Sequence, residues 1–68
     1  MNTLDEKILK VLLAGTKDKN SLYQDFKEHS TLILDRHIDD LVDKNFVKIS
    51  NNAVSLTGSG YYKIEMDI

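Results

Sequence analysis

The chain has no cysteine, no proline and no tryptophan, and only three glycines. Without cysteine it has neither disulfides nor a thiolate zinc site to supplement a core. Without proline, its breaks fall to Gly, Asn and Ser clusters. No apolar run nears the roughly 20 residues of a spanning helix. Acids precede the first apolar stretch, so the start does not read as a signal peptide. Excess positive charge is missing too: nine Lys and Arg stand against 11 Asp and Glu, a net of −2. That weakens any nonspecific grip on nucleic acid or anionic membrane, which needs a basic surface. Repeats, low-complexity segments and linkers are absent. The expectation is a soluble, cytoplasmic protein with no membrane partner.

What remains is one small domain, residues 1–68. Its 41% hydrophobic content is ordinary for a globular chain and too apolar for a disordered one. A chain this short buries only about 60% of the surface its unfolded form exposes, so the core is thin.

Three helices are signalled first. Thr3 with Glu6 has capping-box spacing, and Asp5 and Glu6 suit the positive end of a helix dipole. Leu4, Ile8, Val11 and Leu12 recur at helical spacing, with Leu9 and Leu13 widening the stripe, and Gly15 closes the helix. Asn20 or Ser21 caps a second helix over roughly 22–29, with Leu22 and Phe26 inward and Tyr23 beside them. Ser30 or Thr31 caps the third and longest, where Leu34, Ile38, Leu41 and Val42 form the apolar stripe. Asn45 takes the left-handed position after it, and Phe46 packs back onto the helices.

From Phe46 the period drops from 3.6 to 2. Phe46, Lys48 and Ser50 alternate with Val47 and Ile49, Asn51-Asn52 makes a tight turn, and residues 53–57 return. The tail reads two ways. Thr57 caps a helix carrying Tyr61, Ile64 and Ile68, or Tyr62, Ile64, Met66 and Ile68 alternate as a strand. The helix is preferred.

Leu34 to Ile49, LDRHIDDLVDKNFVKI, resembles the end of a recognition helix running into a wing strand, with Asn45 where a Gly is usual. Val54 to Gly60, VSLTGSG, resembles the second wing strand and its Leu-Thr-x-x-Gly ending. Together they resemble the winged helix-turn-helix domains of MarR-type and PadR-type regulators, over about Leu4 to Tyr62. The resemblance implies an α+β fold: three helices, a two-stranded β-hairpin wing, and a short C-terminal helix or strand. It also implies double-stranded DNA as partner and a regulator of bacterial or phage type, with the third helix in the major groove and the wing on the backbone or minor groove. Thr31, Leu32, Ile33, Asp35, Arg36 and Asp39 would then face bases. The DNA contacts it implies are Thr31, Arg36 and Lys44 on the helix, and Lys48, Asn51 and Asn52 on the wing.

The residues themselves pull the other way. From Ser30 to Asn45 four acids (Asp35, Asp39, Asp40, Asp43) face two bases (Arg36, Lys44). Lys48 is the only base between Phe46 and Thr57. Lys7, Lys10, Lys17 and Lys19 read as a solvated outer face. Leu32 and Ile33 either tuck under the second helix to complete the core, which is the expectation, or stand exposed as a protein-binding spot. Tyr61 and Tyr62 cover the end of the core or form a contact surface. With no room for extra dimerisation helices, a homodimer would use the terminal segments. The second expectation is therefore a winged-helix protein-interaction module, an accessory or inhibitory factor, contacting its partner through Leu32, Ile33 and the acidic third helix, with Tyr61 and Tyr62 as further partner-binding candidates.

Catalysis is not expected. The glycines fit no phosphate-loop spacing, and nothing positions a nucleophile, a base and an oxyanion donor. His29 and His37 are eight apart across a helix break, match no metal motif and read as surface residues. No metal and no cofactor are expected.

Overall fold

The computed structural model describes residues 3–67, with side chains from 4 to 66. In chain order the elements are α1 (Thr3–Leu12), β1 (Lys17–Asp18), α2 (Lys19–Asp25), α3 (Thr31–Asp43), β2 (Val47–Ser50), β3 (Ala53–Leu56) and α4 (Gly58–Asp67). The fold is α+β: four helices and a three-stranded antiparallel sheet in the order β1-β3-β2. Among the described residues no helix is long and apolar enough to cross a membrane.

The helical stripes meet in one core. Leu4, Ile8, Leu9 and Leu12 of α1 pack with Leu22 and Phe26, with Leu34, Ile38 and Leu41 of α3, and with Val47, Val54, Leu56 and Ile64. Leu9 is fully buried, whereas Leu13 and Val42, also read as core, are exposed. Leu13 lies past the last residue of α1, where the chain turns towards Gly15 (φ +140°).

Two boundaries differ from the sequence reading. The cap of α2 is Asp18, whose carboxylate accepts from the Ser21 N–H at 2.7 Å. The helix therefore starts before Asn20 and ends by Asp25 rather than 29. The β2–β3 hairpin also does not stand alone. Lys17 and Asp18 pair with Val54 and Ala53 as a third strand. Two residues are too few to show a period of 2, so pattern reading misses such a strand.

The other signals are matched. Ser30 caps α3, its hydroxyl accepting from the Ile33 N–H. Asn45 sits at φ +64° after α3, and Phe46 is half-buried against the core. β2 pairs with β3 from Val47↔Leu56 to Ser50↔Ala53. Asn51 and Asn52 have φ of +50° and +66°, the conformation of a type I′ hairpin turn. The tail is a helix: Thr57 accepts from the Gly60 N–H at 3.1 Å and donates to the Asn45 carbonyl at 2.5 Å. The cap proposed for Thr3 and the position of Ile68 lie outside the described side chains.

Candidate nucleic-acid interface

α3 buries Leu34, Ile38 and Leu41. Residues on the opposite side must therefore face outward. Ile33, Arg36, Asp40 and Asp43 recur three and four apart, so they share a face, and all four are exposed. Leu32 and Asp39 flank them and are exposed as well. Leu32 is 70% exposed and Ile33 44%, which overturns the expectation that they complete the core beneath α2.

Charges on α3 are partly committed. Lys44 Nζ lies 2.9 Å from an Asp40 carboxylate oxygen, and that hydrogen bond holds the ammonium above its ordinary value. Among the described residues Arg36 makes no ion pair. Asp35, one of the residues the resemblance turns to bases, instead points at α2. It accepts from the Tyr23 hydroxyl at 2.5 Å and lies 3.9 Å from Lys19 Nζ. That hydrogen bond, together with burial, pushes the Tyr23 phenol up to about 12. Lys17 is likewise paired with Asp25. Lys17 and Lys19 therefore belong to ion pairs between elements rather than to a free outer face.

The sequence-derived candidates lie on α3, on the β2–β3 hairpin and on α4. Ile33, Arg36 and Lys44 line one open groove of about 520 Å³, together with Asp5, His37 and Asp40. Thr31 is exposed in the first turn of α3, next to Leu32. Lys48, Asn51 and Asn52 are exposed on the β2–β3 hairpin, with Lys48 opposite Ser55. Tyr61 and Tyr62 are both exposed on α4. Tyr62 lines a separate groove of about 570 Å³ with Phe46, Gly58, Ser59, Lys63 and Met66. Leu32 and Ile33 on α3, and Tyr61 and Tyr62 on α4, thus lie at two distinct places.

No protein-family model matches the chain, and no curated protein or solved structure matches it either.

One pair was missed from sequence. His37 is not a free surface residue: its Nδ1 lies 2.7 Å from Oδ1 of Asp5, which is buried. A carboxylate only accepts, so the ring N–H donates. The signal was present. Asp5 precedes Ile8, Leu9 and Leu12 by three, four and seven, on the buried side of α1. His37 follows Leu34 by three and precedes Leu41 by four. His29 lies 3.9 Å from Glu28, far along the chain from this pair. Among the described residues no cluster of three or more His, Asp or Glu is placed to hold a metal ion.

Proposed function

We propose that the chain is a winged helix-turn-helix protein that binds double-stranded DNA, with α3 as the reading helix and the β2–β3 ribbon as the wing. The observation that carries the reading is the connectivity: α1-β1-α2-α3-β2-β3-α4 on a β1-β3-β2 sheet. This order leaves one face of α3 outside the core beside a two-stranded ribbon, with an unpaired arginine at the centre of that face. Arg36 would reach a guanine edge or a phosphate. Thr31 and Lys44 would touch backbone, and Lys48, Asn51 and Asn52 would follow the strand at the wing.

The aspartates set the character of the binding. Asp35 is occupied with Tyr23, and Asp40 with Lys44, so Asp39 and Asp43 remain as the uncompensated acids of α3. An aspartate tolerates cytosine N4 and repels phosphate, so the interface is selective rather than tight. The deciding experiment is fluorescence anisotropy with a mixed-sequence duplex at low salt. Binding that weakens steeply as salt rises supports the reading. No binding at about 50 mM salt overturns it, since phosphate attraction is strongest there.

A second reading rests on Leu32 and Ile33. Two large aliphatic side chains stand in water at the start of α3, and Asp39, Asp40 and Asp43 are exposed further along the same helix. That combination fits a protein partner with an apolar anchor ringed by Lys or Arg. Under it, Leu32→Asp abolishes a complex and leaves the fold intact.

A further inference from the structure

Among the described residues Asp5 is the one buried carboxylate, 3% exposed. Its hydrogen bond to His37 Nδ1 fixes the imidazole on one edge. The ring lines the groove shared by the start of α1 and the outward side of α3. Among the described residues no hydrogen bond or ion pair engages the remaining ring nitrogen, Nε2.

The charges facing His37 can be counted. Asp5 comes from α1, and Arg36, Asp40 and Lys44 come from α3. Two cations meet two anions, so the lining is neutral while the imidazole is neutral. One proton on His37 makes it +1. Lys44 is already bound to Asp40. Among the described residues Arg36 makes no ion pair and Nε2 of His37 makes no hydrogen bond or ion pair, so both are open to an anion.

We propose that this groove is a phosphate site, in which Arg36 and the Nε2–H of protonated His37 take the anionic oxygens and Asp5 is the positioning residue that holds the ring. The inference rests on the DNA-binding reading, in which the phosphate belongs to the duplex backbone beside α3. A free phosphate ion presents the same oxygens and is separated by its own arm of the test. Histidine is the side chain that ordinarily gains its proton between pH 8 and 5. Duplex affinity therefore rises on acidification. A single charge-assisted hydrogen bond sets the step at about tenfold.

The test is duplex anisotropy at pH 8 and pH 6 and constant ionic strength, for the native chain and for His37→Gln, Asp5→Asn and His29→Gln. Ring proton NMR of the native chain accompanies it, with duplex and with inorganic phosphate in separate titrations. Gln keeps a donor for Asp5 but cannot take the extra proton. The expected result is about tenfold tighter binding at pH 6, flattened by His37→Gln, reduced by Asp5→Asn and unchanged by His29→Gln. If His37→Gln keeps the native pH step, the proposal is overturned and the DNA reading stands. If the substituted chains fail to fold, the NMR arm decides: a His37 ring shift on adding duplex at pH 6 supports the site, and no shift sinks it. If the native chain binds no duplex at either pH, the DNA reading fails by itself. A His37 shift with inorganic phosphate then retains the groove as a small-anion site, and no shift removes it.

Discussion

At the scale of single residues, polar side chains near the core have partners on a neighbouring element. Tyr23 and Asp35 join α2 to α3, and Asp5 and His37 join α1 to α3. Tyr23→Phe removes one hydrogen bond to a charged group in a half-exposed setting, a loss of about 1 kcal/mol in urea denaturation. The pH behaviour follows from the phenol. Folding raises its pKa from 10.0 to about 12, so its contribution is complete below pH 10. It fades as pH climbs through 12. Native stability should therefore drop between these values more steeply than that of Tyr23→Phe; parallel curves would remove the Tyr23–Asp35 bond as the cause. Arg36→Ala should cost about 1–3 kcal/mol of duplex affinity, roughly 5- to 150-fold. Unchanged anisotropy would take Arg36 out of the interface. Residue roles were the least legible part of the sequence. Asp5 and His37 share faces with apolar stripes, yet a charged or titratable side chain among aliphatics reads as surface until its partner, 32 positions away, is brought beside it.

At the scale of elements, the turns and caps were readable because each rests on local chemistry. Asn tolerates positive φ, so Asn45, Asn51 and Asn52 marked the end of α3 and the tip of the hairpin. Asn52→Val forces a branched side chain into the left-handed region and should destabilise by about 1–2 kcal/mol. Asn52→Gly should be neutral or better, and thermal melts of the two separate turn geometry from side-chain contacts. The α4 glycines differ in a way sequence alone does not reveal. A Cβ on Gly60 would run into the backbone carbonyl of Phe46 and meet Leu56 Cδ2 at 3.0 Å, whereas one on Gly58 meets nothing within 4 Å. Gly60→Ala should cost about 1–3 kcal/mol by overpacking. Gly58→Ala should gain about 0.4–1 kcal/mol by narrowing the unfolded ensemble. Equal effects in chemical denaturation would contradict the close approach of α4 to Phe46. β1 stayed invisible because two residues carry no period, and the cap of α2 was misplaced because Asp18, Asn20 and Ser21 all have capping side chains within four positions.

At the scale of the whole molecule, the architecture followed from the switch of hydrophobic period at Phe46, since three stripes of period 3.6 need a common core and a ribbon needs something to lie on. The core is small enough that single side chains matter. A chain of this length has about 3–10 kcal/mol of total stability. Ile38, fully buried in the core, should cost about 2–5 kcal/mol as Ile38→Ala. Circular dichroism at 37 °C should then show a largely unfolded population; a native spectrum would mean the site collapses around the gap. The β2–β3 hairpin is held at both extremities. At its base the Thr57 N–H donates to the Phe46 carbonyl and the Thr57 hydroxyl to that of Asn45. Near its tip the Lys19 N–H donates to the Asn52 carbonyl at 2.9 Å, continuing the β1 pairing. The hairpin is therefore strapped to the start of the second helix, and a tug on its tip is felt first there.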